Sequence, residues 1–160
     1  MTWGQWLKKW KMTSIKLSAR FAEMEFIYSD ADANANAAWD LYIELLTRTT
    51  IQTLEPEHGD EDTALQSIFS LFSITRSVIK EYGKDCITFT RMAVLILNQK
   101  IRPFTAKWHK VSISGGFRNS DRCSEFRKEL IELQQVLSIY TQMLAKMAGV
   151  EDISSMEEKG

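Results

Sequence analysis

The chain has 160 residues, 44% apolar and 26% charged, enough for one sizeable core and wrong for a membrane-spanning, collagenous or wholly disordered protein. Two cysteines do not make a disulfide framework, and seven Gly with two Pro are too few for the tight turns of an all-β fold, which leaves long helices. A formal net charge of -1 carries no overall commitment to nucleic acid or membrane, although it is silent on local patches.

Residues 1–12 place Trp3, Trp6, Leu7 and Trp10 at i, i+3, i+4 and i+7, with Lys8, Lys9 and Lys11 on the other faces. This spacing predicts a short basic amphipathic helix, and the lysines interrupt the apolar run a signal peptide needs. From Ser14 the helical period gives way to alternation of Ile15, Leu17, Ala19 and Phe21 with Lys16, Ser18 and Arg20. The pattern slips by one after Ala22, so residues 13–28 read as an extended strand or small hairpin.

Residues 29–149 read as a bundle of four helices. The first, capped by Ser29 or Asp30, is expected to reach about Leu54 and to present a broad, mostly apolar face that includes Ala38, Trp39, Tyr42, Ile43 and Leu46. Pro56 and Gly59 then mark a loop. The second helix starts near Asp60, carries Leu65, Ile68, Phe72 and Val78, and ends at Gly83 as a C-cap. The third starts near Lys84, and its apolar run from Met92 to Leu97 has the length of a buried segment. Pro103 predicts a kink or break inside it. Ser112 to Ser120, with Gly115 and Gly116, forms the next loop, and a fourth helix runs from about Asp121 to Gly149. Residues 150–160 look like a polar, frayed tail. The fold class is therefore all-α, a four-helix bundle preceded by an amphipathic arm and an extended segment. No apolar run approaches the roughly 20 residues that span a bilayer, and free Cys86 and Cys123 suit the reducing cytoplasm.

Charge is segregated along the chain. Residues 1–20 hold five bases and no acid, residues 21–62 hold eleven acids against Arg48, and residues 84–122 hold eight bases against Asp85 and Asp121. Neutrality here conceals complementary surfaces.

Two features point to binding. Trp3, Trp6 and Trp10, interleaved with lysines, suit docking on the bundle or on a partner protein, or peripheral contact with an anionic membrane. The segment 100–110 joins Lys100, Arg102, Lys107 and Lys110 to Phe104, Trp108 and His109, with Phe104 and Trp108 on one helical face at i, i+4. Arg102, Phe104, Lys107, Trp108 and His109 would meet a protein partner or a second copy, or pair with the acidic block 21–62. Alternatively Lys100, Arg102, Lys107, Trp108, Lys110 and Arg118 would bind nucleic acid, cations on phosphates and indole on a base.

Catalytic signals are weak. The sequence holds no GxSxG, HExxH, CxxC or Walker spacing, and His58 and His109 are far apart. Asp30, Asp32, Asp40 and Glu44 offer carboxylates along one helix, where capping and solvation are commoner than magnesium binding. No enzyme, cofactor or metal site is nominated.

Three stretches, Ala38 to Arg48, Leu97 to His109 and Ala148 to Asp152, resemble a family of uncharacterised bacterial helical proteins found among anti-phage defence genes. The resemblance covers most of the chain and brings no catalytic motif. It implies a subunit or adaptor that works with a separate effector.

Overall fold

The computed structural model describes residues 32–48 and 60–154. The amphipathic arm at 1–12 and the extended segment at 13–28 lie outside them. The described residues are helices and their connecting turns, without a strand.

Helix α1 (Ala33–Leu46) starts at Asp32, whose carboxylate accepts from the Asn34 N–H at 2.9 Å and satisfies one of the first turn's orphan donors. Alanines at 33, 35, 37 and 38 favour helix and let neighbours approach closely. The helix stops at Thr47, two turns before the expected end at Leu54. Thr47 is β-branched and leaves helical geometry with φ -93 and ψ 3, its hydroxyl donating back to the Ile43 carbonyl at 2.8 Å.

Helices α2 (Glu61–Phe69) and α3 (Leu71–Tyr82) replace the single expected second helix. Asp60 caps α2 by accepting from Asp62 N–H at 3.0 Å. The interruption falls at Ser70, where hydroxyls turn back onto the backbone. Ser70 Oγ donates to the Ser67 carbonyl at 2.6 Å, and Ser73 Oγ donates to the Ser70 carbonyl at 3.0 Å. Gly83, at φ 62, ends α3 as expected, since only glycine enters that region without strain.

A 3₁₀ turn (Gly83–Cys86) leads into α4 (Ile87–Ile96), so the third helix begins three residues later than Lys84. No local side chain caps α4. Its Phe89 N–H donates instead to Asn34 Oδ1 on α1 at 3.0 Å, while Asn34 Nδ2 donates to the Asp85 carbonyl at 3.4 Å. The run 92–97 is buried on one side only: Val94 is 41% exposed.

Ahead of Pro103 the chain neither breaks nor runs straight. Leu97–Ile101 forms a π turn, in which the Arg102 N–H reaches back to the Leu97 carbonyl, and α5 (Arg102–Ile113) follows with proline in its first turn. Proline lacks an N–H and its ring would crowd the carbonyl four residues back, so a widened turn lets the helix continue through it.

Gly115, at φ 75, and a 3₁₀ turn (Gly116–Arg118) lead to α6 (Ser120–Ala148). Asn119 caps α6 by accepting from Asp121 and Arg122 N–H at 2.8 and 3.3 Å, and Gly149 closes it at φ 72. α6 is the spine against which α1 packs most extensively, with Leu41, Leu45, Leu137 and Leu144 in the shared core. Asp152 accepts from the Tyr42 hydroxyl at 3.1 Å, and the Ile153 N–H donates to the same hydroxyl at 2.8 Å. The expected frayed tail is therefore held to α1 as far as Ser154; residues 155–160 lie outside the described set.

Candidate interaction surface

The basic aromatic segment folds with its aromatic stripe inward. Trp108 is 0% exposed and Phe104 4%. The two rings close on Phe126 of α6, Trp108 edge-on at 5.2 Å and Phe104 tilted at 5.6 Å, and Phe117 stacks on Trp108 at 5.9 Å. An i, i+4 aromatic pair does share one helix face, as the spacing implies, but that face is core. Phe104 and Trp108 are thus not surface residues for a partner, and no base can stack on Trp108.

The indole N–H is satisfied inside the protein, donating to Glu129 Oε2 at 2.8 Å. Lys107 Nζ donates to the other Glu129 oxygen and to Glu125 Oε1 at 2.9 Å, and lies 4.7 Å over the Trp108 ring. Burial opposes the Lys107 charge, but hydrogen bonds to Glu129 and Glu125 outweigh it and hold the ammonium above its ordinary value. The same Lys107 bond, with Arg122 assisting against partial burial, holds Glu125 below the usual carboxylate range.

Lys100 also faces inward. It is 5% exposed within the π turn, and burial pushes its ammonium down to about 8. Arg102, Lys107, His109 and Lys110 reach solvent. Arg102 lies 5.0 Å over the Phe72 ring and donates to Asn98 Oδ1 at 3.2 Å, while His109 stacks on Phe69 at 6.1 Å. Lys110 and Arg118 are exposed. The structure therefore separates residues that the sequence groups together.

The described carboxylates of the acidic block each have a partner within the fold. Lys107 finds its carboxylates on α6, not within 21–62. Asp32 caps α1, Asp40 accepts from the Tyr82 hydroxyl at 2.7 Å, and Glu44 pairs with Arg48 at 2.8 Å. Glu61 pairs with Arg127 at 2.7 Å, and Asp62 accepts from Ser112 Oγ. Asp30 and His58 lie outside the described residues, as do Trp3, Trp6 and Trp10. Among the described residues no three His, Cys, Asp or Glu side chains come together as a metal site. Cys86 Sγ donates to the Gly83 carbonyl at 3.3 Å and Cys123 Sγ to the Phe117 carbonyl at 3.0 Å, both as free thiols.

The surface that sequence reasoning missed lies between α1 and α3. Trp39, Asp40, Ile43 and Glu44 form one wall of an open groove, and Ser73, Ile74, Ser77 and Val78 form the other. Trp39 is 43% exposed and Ile43 36%, and both lie on the broad, mostly apolar face expected of the first helix. A contiguous apolar surface left in water can mark an interaction site. No described helix is long and apolar enough to cross a membrane. The chain matches no protein-family model, and comparison with curated proteins and with solved structures finds no match.

Proposed function

We propose that this chain is a non-catalytic helical interaction subunit, acting in the cytoplasm as a four-helix bundle whose rods are residues 33–46, 61–82, 87–113 and 120–148. The exposed Trp39, flanked by Ile43 and Ile74 in the groove between α1 and α3, carries the reading. Trp is enriched where binding energy concentrates, because one rigid side chain buries a large area at low entropic cost. The polar groups elsewhere support the same view. Asp32, Asp40, Glu44, Lys107, Glu125 and Glu129 are each engaged in capping, hydrogen bonding or ion pairing. The resemblance to helical proteins among anti-phage defence genes gives the reading a narrower form, an adaptor beside a separate effector.

The binding face differs from the one the sequence suggests: Trp39 and Ile43 take the place of Phe104 and Trp108, with exposed Arg102 and His109 on a separate surface. The nucleic-acid alternative loses its stacking residue with Trp108 and two of its cations with Lys100 and Lys107, which leaves Arg102, Lys110 and Arg118. Affinity capture from cells making the tagged chain tests the proposal. A stoichiometric protein should be retained by the native chain and lost with Trp39→Glu. Equal retention by both would contradict it.

A further inference from the structure

The groove between α1 and α3 carries acid and no base in its lining. Trp39, Ile43, Ile74 and Val78 supply its apolar surface, and the charged groups that line it are the carboxylates of Asp40 and Glu44. Glu44 shares its charge with Arg48 at 2.8 Å, whereas Asp40 accepts from a neutral donor, the Tyr82 hydroxyl, and keeps its charge for a further contact. One turn on from Ser77, Glu81 extends the same stripe of α3 as an exposed carboxylate with no ion pair among the described residues. Arg76 and Lys80 fall off that stripe. An apolar groove edged by carboxylates repels an acidic occupant and attracts a cationic one.

The shape of the groove selects a helix. Its walls run antiparallel, with Asp40 meeting Tyr82 at one end and Arg48 meeting Ser70 Oγ at 3.0 Å toward the other. Two helix walls offer side chains and no unpaired backbone, so an extended segment would find no strand edge to join. A helix arrives with its own backbone hydrogen bonds made and lays side chains at i, i+3, i+4 and i+7 into such a seat. Ser73 and Ser77, exposed and one turn apart, leave room on the α3 side for that helix to come close, beside the bulk of Trp39 and Ile43.

We infer that the groove between α1 and α3 receives a cationic amphipathic helix of another protein, whose apolar stripe covers Trp39 while flanking lysines or arginines meet Asp40, Glu44 and Glu81. The inference rests on reading that groove as an interaction surface and names the chemistry of what fills it. Fluorescence anisotropy of two labelled helical peptides of about 18 residues, added to the full chain, tests it. Both carry the same leucine stripe, one with lysine and the other with glutamate at the flanking positions. The lysine peptide should bind, and more weakly as salt rises, because the rim charges are screened; the glutamate peptide should not bind. Trp39→Glu should weaken the lysine peptide by more than about tenfold. That change makes the face more acidic, so attraction by charge alone would strengthen, and the loss reports docking. Ser77→Arg, which puts bulk and positive charge into the furrow at an exposed helical position, should have the same effect with helicity and Tm held. Asp40→Asn, which keeps an acceptor for Tyr82, should weaken binding a few-fold and flatten its salt dependence. No binding of the lysine peptide at ~100 µM, equal binding of the two peptides, or binding that either folded groove variant leaves unchanged overturns the inference. A chain that sediments as a dimer and becomes monomeric on Trp39→Glu overturns it as well, by putting a second copy in the groove. Should affinity capture still lose a protein on Trp39→Glu while the lysine peptide fails to bind, the cationic helix is overturned and the interaction reading stands.

Discussion

The Glu129 carboxylate, buried on α6, accepts a hydrogen bond at 2.8 Å from the indole Nε1 of Trp108 on α5, 21 residues earlier in the chain. Its other oxygen takes the Lys107 ammonium. One carboxylate thus anchors the interior and exterior sides of the same helix, and the basic aromatic segment becomes a structural seam.

Removing that carboxylate strands a buried donor. Glu129→Ala leaves the indole N–H unsatisfied and Lys107 with Glu125 alone, and should cost about 1–3 kcal/mol in urea unfolding. Glu129→Gln keeps an acceptor for the indole and should cost less. Equal losses in the two variants would argue against the hydrogen bond as the cause.

Lys100 sets an alkaline signature. Burial lowers its ammonium from 10.5 to about 8, so below pH 8 the folded chain carries a charge it holds less well than the unfolded chain does. Between pH 8 and 10.5 the folded chain sheds the proton first, the unfolded chain binds more protons, and stability rises with pH. Lys107 acts the other way. Its value is raised, so its contribution is complete below 10.5 and is lost as pH climbs through the higher folded value. Tyr82 adds a second loss. The Asp40 hydrogen bond, aided by burial, pushes its hydroxyl from 10.0 up to about 12, so its contribution fades across that interval. Urea midpoints measured from pH 7 to 10 should therefore rise, and Lys100→Met should remove the rise while raising the midpoint at pH 7.

Asn34 caps α4 from another helix. Asn34→Ala should cost about 1 kcal/mol, the usual loss for a cap residue, and should speed amide exchange at Phe89. Unchanged exchange there would show that the cap contributes nothing.

The carboxyl-terminal turn stabilises α1 through Tyr42. Asp152→Ala removes the acceptor for the Tyr42 hydroxyl and for the Ser154 N–H, at 3.1 and 3.0 Å. It should lower stability by about 1 kcal/mol and raise protease sensitivity after Gly149. Resistance equal to the native chain would mean that the tail is not held by this contact.

Helix existence was legible wherever a chemical stop signal was local. Asp60, Gly83 and Gly149 act at their own positions, and the structure uses all three as read. Features that depend on distant partners were not. Nothing near Asn34 announces a cap for Phe89, 55 residues on. The i, i+4 spacing of Phe104 and Trp108 establishes that they share a face but not which side of the helix faces the core. Their companions in sequence, four cations, suggested solvent, and α6 overruled that by supplying Phe126 and Glu129. Pro103 likewise signalled a disturbance whose form, a π turn, depends on how the following helix is packed. The half-exposure of Trp39 was not legible, because hydropathy places it on an apolar face without saying how much of that face a neighbouring helix covers.

Comparison of Trp39→Glu with Trp108→Phe tests the central claim most directly, with Tm and partner association measured on both. Trp39→Glu should keep the native Tm and lose association. Trp108→Phe, which removes the Glu129 bond and part of the buried ring, should lose about 2–3 kcal/mol of stability and keep association. The opposite pattern, with Trp39→Glu destabilised but still associating and Trp108→Phe stable but unable to associate, would contradict the account and return the basic aromatic segment to the surface.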